Sequence, residues 1–213
     1  MSQPNERDRI GAIILAAGSS RRMGRNKLLL PIDGRPMLTR VVATFHAARN
    51  SITPIVIVTG YEPQSVKAAL GDEFSHVEFA HNSNHDAGGM LSSIKTGVTS
   101  MRGRADAFFL ALVDQPWVRE ATLQQVIEAW RASRADVLRP TYQGKHGHPI
   151  LLDARCIDSI LSLPDDGTLN EFVRANPTKT FDVSVQDEAT IQDIDTPADY
   201  EAAMKRRDPL SAD

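Results

Sequence analysis

The sequence predicts one α/β domain built on a single, doubly wound, mostly parallel sheet. Short unbroken apolar runs point to it first. Ile13 to Ala17, Pro54 to Thr59 and Ala107 to Val113 each read as a strand buried on both faces. Between them lie stretches whose apolar residues recur at helical spacing, each burying one face. Such strand, helix, strand alternation implies parallel strands joined by right-handed crossovers. The length of 213 residues suits one domain with a sizeable core.

The elements follow in order. Residues 1–9 are polar and expected to be disordered, so the domain is expected to span 10–204, with a charged, flexible tail over 205–213. After the first strand, Asp33-Gly34 reads as a turn. Met37, Leu38, Val41, Val42 and Phe45 mark a helix. The second strand stops at Gly60, and Pro63 opens a short helix carrying Val66, Ala69 and Leu70. Val77 to Ala80 is a third strand. Asn82 to Gly89 is a polar, glycine-rich loop. Met90, Leu91, Ile94, Val98 and Met101 then mark a helix, with both methionines expected in the core. After the strand at 107–113, Leu123, Val126, Ile127 and Trp130 mark another helix. Asp136 to Pro140 and Pro149 to Leu152 are short strands, read as a small β insertion over 139–152. Thr168-x-x-Glu171 is a capping box. Lys179 to Val185 is a late strand, and Thr196-Pro197 starts a last helix.

The strongest chemical signal is Ile10 to Pro31, IGAIILAAGSSRRMGRNKLLLP. An apolar strand ends at Gly18, and a loop follows with Gly24 at its far end. Glycine lets a ligand approach the backbone, and successive N–H groups in such a loop can cradle an anion. Arg22, Arg25 and Lys27 add positive charge beside it. A triphosphate is the obvious partner. The dinucleotide fingerprint GxGxxG is missing, because no glycine lies two residues after Gly18. The P-loop pattern fails as well, because Arg25 rather than lysine follows Gly24. Glycine and arginine alone would equally describe a solvated turn.

The complete string is more restrictive. Leu15 to Lys27 reads LAAGSSRRMGRNK, followed by Leu28 to Pro31, Gly34 and Pro36-Met37-Leu38. It resembles the nucleotidyltransferases that act on the molybdenum cofactor, and more broadly the sugar-nucleotide pyrophosphorylase type. The resemblance runs from Ile10 to about Tyr200. It implies a Rossmann-like nucleotidyltransferase fold, CTP as donor, a molybdopterin-type cofactor as acceptor, and Mg²⁺ or Mn²⁺ as the metal. CTP is preferred over GTP because Asp114-Gln115-Pro116 and Gly147-His148-Pro149 look more like the cytidylyl branch than the guanylyl branch. A sugar phosphate acceptor, or a non-catalytic cofactor carrier, stays open as an alternative.

The resemblance also implies roles. Leu15, Ala16, Ala17, Gly18, Ser19, Ser20, Arg22 and Lys27 would bind the nucleotide, with Lys27, Arg22 and Asp114 the catalytic residues. Gly88, Ser92 and Ser93 match a segment near base and ribose. Read from the residues alone, the two serines would be ordinary first-turn residues. Asp114 stands where a strand stops, the usual place for ligands in open α/β sheets. A carboxylate there can hold Mg²⁺ or cap the next helix, and the resemblance favours the metal. Asp195, in Asp193-Ile194-Asp195-Thr196-Pro197, would be the second metal carboxylate or a helix N-terminal aspartate. His148 and Gln115 would touch the acceptor. His146 and His148 lie two apart and in a strand would share a face, but no third soft ligand lies near them in sequence, which argues against zinc. His85 reads as a solvated loop residue.

Composition narrows the partners. A net charge of -3 argues against a general nucleic-acid binder. No apolar run approaches the roughly 20 residues of a membrane span, and MSQPNERDR lacks the apolar stretch of a secretory leader. The single cysteine, Cys156, rules out an internal disulfide. The expectation is a cytoplasmic monomer working on small molecules, with a molybdoenzyme or its maturation factor as a further partner.

Overall fold

Strand β1 (Ile10–Ala16) is the middle of the molecule, because its apolar run has two faces to bury. Ile10, Ala12, Ile14 and Ala16 face one core, with Val41, Phe45 and Trp130. Ile13 and Ala17 face the other, with Ile94, Val98 and Met101. Alternation along the strand sends successive side chains to opposite faces. The computed structural model describes residues 8–20 and 23–205. The expected disordered stretch therefore lies mostly outside the described residues, and Asp8 and Arg9 at its end pair with Arg134 and Asp106. The tail from 206 on lies outside as well.

In chain order, β1 is followed by the short strands β2 (Pro31–Ile32) and β3 (Arg35–Pro36), helix α1 (Met37–Ala47), β4 (Ile52–Thr59), α2 (Pro63–Ala68), β5 (Glu78–His81) and α3 (Gly89–Met101). Then come β6 (Ala107–Leu112), α4 (Glu120–Ser133), β7 (Val137–Tyr142), β8 (Lys145–His146), β9 (Ile150–Asp153), α5 (Ile157–Leu161), α6 (Leu169–Ala175), β10 (Thr180–Ser184) and α7 (Pro197–Lys205). The sheet has eight strands, ordered β10-β7-β9-β6-β1-β4-β5, with β8 paired on β7. From β1 the chain moves outward to β4 and β5, then returns to lay β6 on β1's other side. All the pairings among β1, β4, β5 and β6 are parallel. The order reverses beside β1, and ligands in such sheets gather at the carboxyl ends of the strands there.

The expected β insertion is more deeply built in than the sequence suggested. β9 fills the gap between β6 and β7, antiparallel to both. Only β8 stands off the main path. Long-range antiparallel pairing of this kind leaves no local signal in a run as short as Ile150–Asp153. Helices α1 and α4 cover one face. α3, α5 and α6 cover the other. Trp130 is fully buried, and its indole N–H donates to Asp153 Oδ2 at 3.1 Å, tying α4 to the end of β9.

α3 can lie flat on the sheet because of Gly97. A Cβ there would overlap Ile13 Cγ2 and stand 3.0 Å from Val58 Cγ2. Gly97→Ala gains about 1 kcal/mol of helix propensity but overfills a packed core, typically at about 1–3 kcal/mol. The expected net result is a lower urea midpoint with an unchanged slope. A raised midpoint would show that α3 can back away from β1.

Candidate active site

β1 and β6 end side by side, and two cavities open at their carboxyl ends. Leu15 and Leu112, paired across the strands, line both. The smaller, about 500 Å³, holds Gly18, Ser19, Ser20, Lys27, Asp114 and Asp195. The larger, about 740 Å³, is walled by Gly88, Arg139, His148, Thr168 and Arg174. Met90, expected in the core, is instead 64% exposed and lines both cavities. The first turn of α3 overhangs the strand ends, so helical spacing there faces the ligand space rather than the sheet.

The loop after β1 is bare toward the smaller cavity. Gly18 has open space where a Cβ would stand. The Met23 N–H donates to Ser20 O at 2.9 Å, closing a turn. Ser20 and Gly24 both take positive φ, at 53° and 66°. Arg22 lies outside the described residues. Arg25 stands over the Tyr200 ring, 5.9 Å from its centroid. Asn26 caps a one-turn 3-10 helix over Lys27–Leu29, its side chain accepting from the Leu28 N–H at 3.2 Å. Leu28 is buried, and this anchor aims Lys27 inward.

Three segments meet on Lys27. Its ammonium donates to Asp114 Oδ2 at 2.9 Å, Asp195 Oδ1 at 2.8 Å and Ile194 O at 3.2 Å. Burial alone would lower the lysine's pKa, but the charges and hydrogen bonds of Asp114 and Asp195 outweigh it, and the pKa is raised. The ammonium is therefore charged throughout the physiological range. Asp114 does not cap the next helix, since α4 begins at Glu120 with Arg119 at its N-cap. At α7, Thr196 and Asp199 cap each other: the Thr196 N–H donates to Asp199 Oδ2 at 2.8 Å, and the Asp199 N–H to Thr196 Oγ1 at 3.2 Å. The Asp195 carboxylate faces Lys27 instead.

The residues fit a hard divalent ion. Asp114 Oδ1 is buried without a hydrogen-bond partner, and two carboxylates converge at one point. Mg²⁺ is commonly held by one or two carboxylates, the remaining ligands being substrate phosphates and water. Among the described residues no cluster of three or more His, Cys, Asp or Glu could hold a metal by itself, which agrees with such sharing. His146 turns to Asp182, its Nε2 3.2 Å from Oδ2.

Other anticipated residues are distributed unevenly. Ala17 and Ser93 line the smaller cavity, whereas Ala16 points into the opposite core by strand alternation. Gly88 lines the larger cavity. The buried Asn82 amide donates to Ser92 Oγ at 2.8 Å and Ser93 Oγ at 3.0 Å, and its Oδ1 accepts from the Asn84 N–H. Ser92 lines neither cavity and donates back to Gly89 O. His85 is packed rather than solvated, its Nδ1 3.2 Å from Asn82 O.

Gln115 departs furthest from expectation. It is buried and lines neither large cavity. Its amide donates to Thr190 O at 3.0 Å and Asp193 Oδ1 at 2.8 Å. With the Ile194 N–H donating to Asp114 O at 2.9 Å, it fastens residues 190–194 alongside the end of β6. That brings Asp195 within reach of Lys27. His148 lies in the larger cavity's wall, joined to Pro149 by a cis peptide. Its N–H donates to Thr190 O at 2.9 Å. Burial lowers its pKa, only partly offset by the Leu110 backbone and by the charges of Asp114 and Asp193, so the ring is neutral. Arg139, Arg174 and Met90 were not anticipated. The two arginines converge only through long-range topology and carry no local motif, whereas Met90 sits in the same segment as Gly88, Ser92 and Ser93 but reads by its spacing as core packing.

A glycine loop open at Gly18, beside paired carboxylates at the switch point of an α/β sheet, suits a nucleotide-handling enzyme. The chain belongs to the MobA-like NTP transferase domain family, whose model matches residues 12–180, and it is a nucleotidyltransferase. It is 27% identical over 197 residues to the molybdenum cofactor cytidylyltransferase of Escherichia coli K12, covering 92% of this chain and 96% of that one. It is also 28% identical over 197 residues to the nicotine blue oxidoreductase of Paenarthrobacter nicotinovorans, covering 88% and 92%. A Mycobacterium tuberculosis H37Rv protein solved in complex with manganese shares the fold, with a TM-score of 0.75, 23% identity and coverage of 93% and 100%. The two sequence relatives are named for different reactions, so likeness at this level leaves the substrates open.

Asp114→Asn keeps the shape of the side chain and removes its charge. Since Asp114 caps no helix and is 18% exposed at its side chain, the melting temperature should move little. If Asp114 is a metal ligand, removing its charge should lower kcat about 100-fold or more, partly restored by raised Mg²⁺ or Mn²⁺. Near-native turnover at ordinary Mg²⁺ would remove Asp114 from the chemistry.

Proposed function

We propose that this enzyme transfers CMP from CTP to the phosphate of a molybdopterin-type cofactor and releases pyrophosphate. The observation that carries the reading is the convergence of Lys27, Asp114 and Asp195 at the carboxyl ends of β1 and β6, beside two joined cavities. One suits a nucleotide, and the other a second, larger organic ligand. An acceptor phosphate oxygen attacks the α-phosphorus, the bond to the bridging oxygen breaks, and pyrophosphate takes the electron pair. No protein nucleophile is needed. Catalysis consists of positioning and of neutralising developing charge.

The Gly18 to Ser20 backbone would receive the β and γ phosphates, with Leu15 and Ala17 beneath the nucleoside. Lys27 would balance phosphate charge, together with Arg22, which is assigned by its motif position. Asp114 and Asp195 would hold Mg²⁺ or Mn²⁺, which when bound offsets charge on the phosphate oxygens. Ser93 and the Asn82 to Gly89 loop would meet base and sugar, with Asn82 fixing both serine hydroxyls. His148 would contact the acceptor, and Gln115 acts one step removed, through Asp193. The choice of CTP is supported by the likeness to the E. coli cytidylyltransferase. The manganese complex of the mycobacterial neighbour supports the metal. One chain lines both cavities, so a monomer suffices. Among the described residues no helix is long and apolar enough to cross a membrane, which accords with a cytoplasmic enzyme serving a molybdoenzyme or its maturation factor.

The deciding assay combines purified protein, Mg²⁺ and each NTP in turn, with and without molybdopterin cofactor, and follows pyrophosphate. CTP should exceed GTP about 100-fold or more in kcat/KM, because a site that hydrogen-bonds one base leaves polar groups unpaired with another. Equal use of both, or a preference for GTP, ends the cytidylyl assignment. Tight cofactor binding without pyrophosphate from any NTP would favour a carrier.

A further inference from the structure

Lys27 cannot serve two sets of anions at once. An ammonium has three N–H donors, and here all three are spent on protein oxygens: Asp114 Oδ2, Asp195 Oδ1 and Ile194 O. In the transfer reaction that ammonium belongs on phosphate and the two carboxylates belong to a divalent ion. We infer that Lys27 is a resident cation of the metal site: it holds Asp114 and Asp195 together in the nucleotide-free protein and surrenders them when ion and nucleotide arrive together. This rests on the reading of Asp114 and Asp195 as the metal carboxylates.

Charge counting gives the reason. Two carboxylates and one ammonium leave the trio one negative charge. A divalent ion added with Lys27 in place would make it net positive and set two cations on the same oxygens. At such range in a partly buried site, that repulsion is several times its value in water. Moving Lys27 aside with no phosphate present would strand an ammonium whose side chain is only 15% exposed, and an unpaired buried charge is costly. A triphosphate removes both penalties, because it accepts the ammonium while its oxygens complete the ion's shell. The move needs no backbone change: the lysine stem is flexible, and its root is fixed by Leu28 and by the Lys27 N–H on Ser20 Oγ at 3.1 Å. Ion binding and nucleotide binding are therefore coupled, each strengthening the other by the same factor. The lysine thus makes ion and nucleotide bind as a pair, and the bare site discriminates against free ions.

The test measures Mn²⁺ binding to the full chain from the paramagnetic resonance signal of free Mn²⁺, with and without CTP. It compares wild type, Lys27→Met, Lys27→Gln and Asp114→Asn, each checked for folding by circular dichroism. Without CTP, both Lys27 variants should bind Mn²⁺ about 10-fold or more tightly than wild type, a typical coupling factor. CTP should raise the Mn²⁺ affinity of wild type much more than that of either variant. If Lys27→Met and Lys27→Gln bind no tighter than wild type while Asp114→Asn still weakens binding, Lys27 is not the competitor and the metal assignment survives. If Asp114→Asn leaves Mn²⁺ affinity unchanged even with CTP, the metal assignment itself fails, and this inference with it.

Discussion

One ammonium ties together three distant segments of this molecule. Lys27 comes from a single helical turn after the first loop, Asp114 from the end of β6, and Asp195 from the approach to α7. Two like-charged carboxylates would not rest so close to one point without a cation between them. Lysine supplies that cation while tying the first and last thirds of the chain across the sheet. The net contribution to stability is modest, because the attraction is largely offset by the cost of taking three charges out of water. The contribution to geometry is larger, since Lys27 bonds both carboxylates directly where the Gln115 and Ile194 bonds have already laid their segments side by side.

Around that point the fold does ordinary work. β1 is apolar on both faces because helices cover both, and its register with β6 sets Leu15 beside Leu112 as the common wall of two cavities. The strip from Thr190 to Asp195 is laid against β6 by Gln115 and Ile194. The same Thr190 carbonyl accepts from His148 and would overlap any Cβ at Gly147. The walls of the two cavities thus share one backbone seam, and a disturbance on either side reaches the other.

Most of the scaffold could be read from the chain, and so could several residues that meet at the candidate site. Unbroken runs such as Ile13 to Ala17 and Ala107 to Val113 are strands because their surroundings are apolar on both sides, a property visible in the run itself. The glycine loop, Lys27, Asp114 and Asp195 could be picked out because each sits in a constrained string. What could not be read depends on contacts between distant segments. β9's place between β6 and β7, Gln115's turn away from the cavities and Lys27's grip on two aspartates have no local trace. Met90 shows how periodicity misleads at an element's end: the spacing marks the helix face correctly, but the sheet beneath has already stopped.

Cys156 has a practical bearing of another kind. The sequence contains one thiol. It lies buried beside α5, with its Sγ 3.3 Å from Asp136 O. Burial pushes its pKa up to about 12, with Asp136 and Asp153 adding to the rise. A thiol so enclosed yields almost no thiolate, and the thiolate is the nucleophile. In the folded protein it is a chemical spectator, indifferent to mild oxidants and alkylating agents. It becomes reactive only when the corner formed by β7, β9 and α5 comes apart, so its modification rate gauges how often that part of the sheet opens, with no label to engineer and no second cysteine to confuse the signal.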